Sequence, residues 1–89
     1  MSTREPSARE RVNDVRVSED VLSVDLLDGR TITEPLAWFA RLLHATAEQR
    51  ANWVVAGAGY GIHWPDIDED LSTEGLLRGA PAARRQIPA

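Results

Sequence analysis

The chain has 89 residues, 43% of them hydrophobic and 27% charged, which is the length and composition of one small globular domain. It contains no cysteine, so disulfide bonds, thiolate catalysis and sulfur-ligated zinc sites are excluded. The formal net charge is −4, and residues 11–78 hold six arginines against twelve acidic residues, a balance that disfavours binding to nucleic acid.

The composition predicts one domain between two tails. Residues 1–10 are polar without periodicity, and residues 80–89 contain two prolines among small residues, so we predict flexible tails around a domain at residues 11–79. No apolar run approaches the roughly 20 residues of a membrane span, and the first residues lack the apolar segment of a signal peptide. We therefore expect a cytoplasmic protein with no membrane partner.

The first half of the chain predicts a three-stranded antiparallel meander. Apolar residues alternate with polar ones over residues 11–17 and 21–27, and Thr31 to Thr33 provides a third short strand. Asp28 and Gly29 between the second and third strands predict a two-residue type I′ hairpin, since both central positions of that turn need positive φ.

Two short helices are predicted after the meander. Pro35 suits the first position of a helix, and the apolar spacing that follows predicts one helix of about nine residues ending near His44. Thr46 followed by Gln49 is the pattern of a capping box, which predicts a second helix from residue 47 towards Asn52.

The remaining elements are a strand and a final helix. Residues 53–55 are apolar and predict a buried strand that leads into a glycine-rich segment. Ser72 is the predicted N-cap of the last helix, Leu76 and Leu77 its buried pair, and Gly79 the residue just past its end. The fold class predicted is α+β, with a three-stranded antiparallel meander, two short helices, a further strand and a short C-terminal helix.

The string "DIDED" is the most acidic part of the chain. Asp66, Asp68 and Asp70 fit positions 1, 3 and 5 of a calcium loop, but Leu71 replaces its glycine and Leu77 its glutamate. We therefore interpret the string as a solvated acidic turn that could dock a cationic partner.

The sequence contains no recognisable motif for catalysis or for cofactor binding. His63 could form an acid–base pair with a neighbouring aspartate, yet no recognisable motif places a nucleophile near it. Ile62 replaces the third glycine of a dinucleotide-binding fingerprint. We expect a non-catalytic protein without a cofactor; the alternative is a small-molecule or metal-binding domain with a site near His63 and the three aspartates.

Two tryptophans are candidate anchors for a partner. Trp38 and Phe39 are adjacent in the predicted helix and cannot both face the core, so one of them should be partly exposed. Core packing is the favoured interpretation of Trp64, although it too could serve as an anchor.

Several strings of the chain are distinctive: "DGR" in the hairpin, "PLAWFARLLHAT", "EQRANW", "GIHWP", "DEDL" and the closing leucines and glycine of the last helix. Together they resemble the bacterial domain of unknown function family numbered 2442. The resemblance extends over about residues 11–79. It implies a similar α+β meander and an antitoxin-like or regulatory role beside a partner encoded nearby. Some members carry an appended helix-turn-helix, and we expect no counterpart of it after Gly79.

The leading hypothesis is a small regulatory domain that binds a protein partner, such as a toxin encoded nearby, through an acidic face. The predicted partner-binding residues are Trp38, Trp64, Asp66, Asp68, Glu69, Asp70, Arg84 and Arg85. The two arginines lie in the C-terminal tail, which we expect to order on binding. The open edge of the meander makes a homodimer a further expectation.

Overall fold

The computed structural model describes residues 8–79, which form an α+β domain with two three-stranded antiparallel sheets. In chain order the strands and helices are β1 (Val12–Val17), β2 (Val21–Leu26), β3 (Thr31–Pro35), α1 (Ala40–Leu43), α2 (Ala47–Ala51), β4 (Val54–Ala56), β5 (Gly61–Trp64), β6 (Glu69–Ser72) and α3 (Thr73–Arg78). Short 3-10 turns are formed by Ala8–Glu10, Leu36–Trp38 and Gly57–Gly59. The tail residues Arg84 and Arg85 lie outside the described residues.

The first sheet confirms the predicted meander, with strand order β1-β2-β3. Leu22, Val24 and Leu26 alternate along β2 and are buried. In β1 the buried residues Val12 and Val15 are three apart, because a bulge after Val12 interrupts the alternation. The first 3-10 turn falls within the predicted N-terminal tail, and its last residue is buried.

Residues 27–30 connect β2 to β3, so the predicted two-residue type I′ turn is wrong. The amide of Leu26 donates to the carbonyl of Arg30 at 2.8 Å, and the amide of Gly29 donates to the carbonyl of Leu26 at 3.1 Å. Among the residues of this hairpin, only Gly29 has positive φ, at 94°. The Asp28 carboxylate instead accepts the Arg30 amide at 2.9 Å, which holds the turn from within.

The helix predicted after Pro35 is divided into two pieces. Pro35 is the last residue of β3, and a 3-10 turn separates it from α1. Phe39 breaks the helical path with φ −126° and ψ 85°. The break allows Leu36, Phe39 and Leu42 to be buried together, which explains why one continuous helix does not form.

The second helix begins as predicted. The Thr46 hydroxyl accepts the Gln49 amide at 3.1 Å, and the Gln49 side chain accepts the Thr46 amide at 2.9 Å. These two bonds are the reciprocal pair of a capping box, so that prediction is confirmed.

The second sheet has the order β4-β5-β6 and differs from the prediction in two ways. The apolar residues of β4 predict a buried strand, yet Val54 and Val55 are 48% and 46% exposed because β4 lies at an edge. β6 was not predicted at all: Glu69–Ser72 continues the acidic string as a strand paired with β5. The turn between them is therefore confined to residues 65–68.

The last helix keeps its predicted ends. The Gly75 amide donates to the Ser72 hydroxyl at 3.0 Å, and Gly79 terminates the helix with φ 77°. Leu76 is buried, but Leu77 is 38% exposed, so half of the predicted buried pair is wrong. Consecutive helix positions point in different directions, and α3 has only one face against the core.

Residues of both sheets share one hydrophobic core. Its buried members are Val12, Val15, Leu22, Val24, Leu26, Leu36, Phe39, Leu42, Ile62, Trp64, Leu71 and Leu76. Within the described residues, no helix has the length and apolar character that crossing a bilayer requires.

Candidate functional site

The acidic turn, defined as residues 65–68 together with Asp70, projects from the end of the second sheet. The Ile67 amide donates to the Trp64 carbonyl at 3.3 Å, which closes the turn on the end of β5. Asp68 has φ 53°, a left-handed conformation that aspartate and asparagine tolerate better than most residues. The sequence therefore combines surface charge and turn geometry at the same positions.

Two contacts fix the turn to the helical segment. The Asn52 side-chain amide donates to the Asp66 carboxylate at 3.0 Å. The Arg41 guanidinium on α1 donates to the backbone carbonyl of Asp68. The Asp68 carboxylate itself makes no hydrogen bond or ion pair among the described residues, and it is exposed. The turn is thus anchored through the Asp68 backbone and the Asp66 carboxylate, which leaves the Asp68 carboxylate available to a ligand.

Asp70 lies on the outer face of the second sheet next to His63. The two residues are register partners on β6 and β5, and the Asp70 carboxylate lies 2.8 Å from His63 Nδ1. The side chains are 71% and 32% exposed respectively. Val54 is the register partner of His63 on its other side, so a mixed apolar and charged row crosses this face of the sheet.

Trp64 and Glu69 are both buried, which confirms the favoured core interpretation of Trp64 but leaves neither side chain on the surface as a partner-binding residue. Trp64 is fully buried, and its indole N–H donates to the Arg50 carbonyl at 3.0 Å. Glu69 is the register partner of Trp64 and is buried on the same side of the sheet. Alternation along β5 and β6 turns both side chains towards the core, so neither contributes to the surface that a partner would meet.

Trp38 is partly buried against the core, and Phe39 is fully buried. The prediction that one of these two neighbours is partly exposed is thus confirmed, with Trp38 the exposed one. Whether Trp38 anchors a partner stays a prediction.

Two arginines of the first sheet and its hairpin, Arg16 and Arg30, are paired with carboxylates of the molecule. Arg16 bonds the Asp25 carboxylate, and this hydrogen bond lowers the pKa of Asp25. Arg30 bonds Asp28 at 2.7 Å and Glu10 at 3.2 Å. The pKa of Asp28 is lowered mainly by the hydrogen bond from the Arg30 backbone amide, and to a smaller extent by the Arg30 side chain. These carboxylates are already compensated.

The aspartates of the turn differ from those pairs because they have no guanidinium partner. The Asp66 carboxylate accepts a hydrogen bond from the Asn52 amide, and the Asp70 carboxylate is bonded to the His63 imidazole. The Asp68 carboxylate has no bonding partner among the described residues. None of the three exposed carboxylates bonds an arginine among residues 8–79, since the Arg41 guanidinium contacts the turn at the Asp68 backbone carbonyl. A cationic ligand can therefore pair with these carboxylates directly.

The residues near His63 do not converge on a metal. Within residues 8–79, no three histidine or acidic side chains lie close enough together to hold an ion. His63 Nδ1 is occupied by Asp70, and Asp66 is held by Asn52. The metal-site alternative therefore lacks a ligand cluster in this part of the chain.

A groove of about 460 Å³ lies along the same sheet, towards α3. Its lining residues include Ala56, Gly57, Gly61, Asp70 and Arg78. It is open to solvent and has one acidic and one basic side chain, so it offers little that would select a small ligand.

Sequence reasoning missed the residues that hold the turn. Arg41 is 27 positions from Asp68, and no motif in the sequence relates them. Asn52 had a weak signal, because it belongs to the string "EQRANW" that resembles the family, but the string does not indicate its role. Contacts between distant segments depend on how the sheets and helices pack, which local patterns do not specify.

The family described as "Protein of unknown function (DUF2442)" matches residues 12–82. A crystal structure of a protein of unknown function from Rhodospirillum rubrum is similar, with 30% identity, a TM-score of 0.71, and coverage of 88% of this chain and 96% of that one. A solution NMR structure of an uncharacterized protein from Chromobacterium violaceum is 23% identical, with a TM-score of 0.68, and shares the fold over 89% of this chain and 79% of that one. No curated protein matches.

Proposed function

The chain belongs to the DUF2442 family, and from the geometry of its acidic turn we propose that it is a small, non-catalytic, cytoplasmic domain that binds a protein partner through that turn. The partner presents a cationic surface, rich in arginine or lysine, to Asp66, Asp68 and Asp70. In an antitoxin-like role, occupation of that cationic surface would block or regulate the partner's own activity.

The observation that carries the proposal is uncompensated charge on a turn held in place. Asp68 exposes a carboxylate without a partner, while its backbone is bonded by Arg41 and its neighbour Asp66 by Asn52. Because the backbone of the turn is already held, it loses less conformational entropy on binding, so the charge is better suited to a partner than the same charge on a loose tail.

Charge of this kind is expected to act on association rate and specificity more than on total affinity. Negative potential steers a cationic partner to the turn, and added salt screens that attraction over about 10 Å at 0.1 M. Trp38 would add apolar contact area only if the partner reaches past the turn towards the partly buried indole. The proposal therefore predicts binding that weakens as salt is added.

The test uses two variants with the same loss of charge. The turn variant is D66N/D68N/D70N, and asparagine keeps the turn because it tolerates the left-handed conformation of residue 68. The control variant is E19Q/D20N/E48Q, which neutralises three exposed carboxylates elsewhere. Each tagged full chain is used to capture proteins from an extract of its source cells at low and high salt.

The proposal predicts one partner that is retained by the wild type and the control variant at low salt, and is lost from the turn variant. High salt should release the same protein from the wild type. Equal retention of that protein by the turn variant and the wild type would contradict the proposal.

A further inference from the structure

β4 is an uncharged strand at an open edge of the second sheet. β5 covers one side of β4, and in the described residues no strand pairs with the other side. Its residues are Val54, Val55 and Ala56, and the two valines are among the most exposed large hydrophobic side chains of the described chain. An edge of this kind presents unpaired backbone groups beside apolar side chains.

The other three edges of the two sheets carry features that discourage pairing. β1 has Asp14 and Arg16, β3 has Glu34 and Pro35, and β6 has Asp70. Charged side chains and proline on edge strands are the usual means by which proteins prevent contact between sheets. β4 is the one edge of the described sheets without such a residue.

The two ends of β4 differ in charge. Asp66 lies at the beginning of the strand, because it is bonded to Asn52 two positions before Val54. Arg78 lies towards the other end, because it lines the groove together with Ala56 and Gly57. Asp70 lines the same groove from β6, which is two strands away from the edge of β4. A second strand that pairs with β4 will thus meet acidic charge at one end and basic charge at the other.

We propose that two copies of this chain associate by antiparallel pairing of their β4 strands around a two-fold axis at Val55. The pairing places Val55 against Val55 of the partner copy and joins the two second sheets into one six-stranded sheet. The two-fold axis also brings the Asp66 end of each copy to the Arg78 end of the other. This complementarity selects a second copy as the occupant of the edge.

Because β4 has only three residues, the association between two copies should be weak. Three residues per copy bury less than the roughly 1,200 Å² of a standard interface, so we expect a weak dimer with a dissociation constant of about 10–1,000 μM. The proposal does not rest on the proposed function, since a partner protein at the acidic turn is not needed for two copies to pair.

Sedimentation equilibrium of the full chain over a concentration series tests the proposal. The wild type should pass from monomer to dimer. V55K should stay monomeric, because the two-fold axis would place the two introduced ammonium groups directly opposite each other on adjacent strands. L27K is the matched control: Leu27 is 51% exposed in the hairpin, outside β4, and its replacement should leave dimerisation unchanged. A wild type that stays monomeric up to about 1 mM, or a V55K variant that dimerises like the wild type, would overturn the proposal.

Two further measurements cover the orientation and the case in which V55K fails to fold. D66R and R78D should each weaken the dimer, and the double variant D66R/R78D should restore it; no recovery in the double variant would exclude the antiparallel arrangement. In the wild type, hydrogen exchange of the β4 amides should slow as concentration rises. Exchange that is independent of concentration, at concentrations where a dimer forms, would place the interface elsewhere.

Discussion

Glu34 is a buried carboxyl group that faces the core from β3. Its side chain is 7% exposed, and Oε1 has no hydrogen-bond partner among the described residues. It pairs in register with Leu22, so its strand position puts it among apolar side chains. Burial raises the pKa of Glu34 above its ordinary value of 4.5, because the charged form loses hydration without gaining a partner.

This raised pKa predicts a loss of stability as pH increases. The folded protein holds the Glu34 proton more tightly than the unfolded chain, so the stabilisation is complete below the unfolded pKa and disappears as pH rises through the folded pKa. E34Q should remove this part of the pH dependence and increase the free energy of unfolding at pH 7 by about 1 kcal/mol. Urea unfolding at a series of pH values measures both effects.

The control for Glu34 is E48Q, which changes an exposed glutamate of α2. Asp25 and Asp28 have lowered pKa values, so their stabilisation is lost in the opposite direction, as pH falls through their folded pKa values. Comparison of E34Q with the wild type at each pH cancels those contributions. An unchanged slope in E34Q would show that Glu34 does not titrate differently in the folded protein.

Trp64 is the largest side chain of the core, and its indole N–H also donates a hydrogen bond to the carbonyl of Arg50. W64F should lower the free energy of unfolding by about 2–3 kcal/mol, because it leaves a cavity in the core and removes the hydrogen bond to the partly buried Arg50 carbonyl. W38F, at a partly buried position, should cost less than about 1 kcal/mol. Denaturation followed by far-ultraviolet circular dichroism distinguishes them, and equal costs would contradict the burial of Trp64.

At the scale of elements, α2 depends on its capping box. The helix has five residues and none of them is buried, so packing contributes little to its start. T46A should lower the free energy of unfolding by about 1 kcal/mol, whereas T46S keeps the hydroxyl and should be nearly neutral. Chemical denaturation measures both, and a T46A variant as stable as T46S would show that the cap bonds are replaced by water at no cost.

The elements that the sequence predicted correctly are those with a local chemical cause. Thr46, Ser72 and Gly79 define helix ends through bonds to residues at most four positions away. The errors arise where packing decides. Phe39 is buried in the core, and its backbone conformation interrupts the predicted helix. Val54 and Val55 are exposed because β4 is an edge strand, and a pattern of three residues does not indicate whether a strand lies at an edge.

The acidic turn shows the same division. Its charge and its turn-forming residues are visible in the string "DIDED", but the string does not tell which carboxylates are exposed. Glu69 is buried since β6 continues the string as a strand opposite Trp64. The turn's attachment to Arg41 joins residues far apart in sequence, and only the folded arrangement reveals it.

At the scale of the whole molecule, the described domain is acidic and is built around one core. Residues 8–79 hold seven arginines against thirteen acidic residues, and the arginines whose contacts are described bind within the molecule. One core supports two small sheets, so the acidic turn and the edge of β4 are presented by a single body. A cationic protein and a second copy of the chain would therefore use neighbouring surfaces of one scaffold.

The most direct test of this account is calorimetric titration of the co-purifying partner with the wild type, the turn variant and the control variant at about 0.05 M and 0.5 M salt. We predict that the wild type and the control variant bind with affinity that falls as salt rises. The turn variant should bind at least about tenfold more weakly at low salt and respond less to added salt. Equal affinity and equal salt dependence in all three proteins would contradict the central claim that the acidic turn is the partner-binding surface.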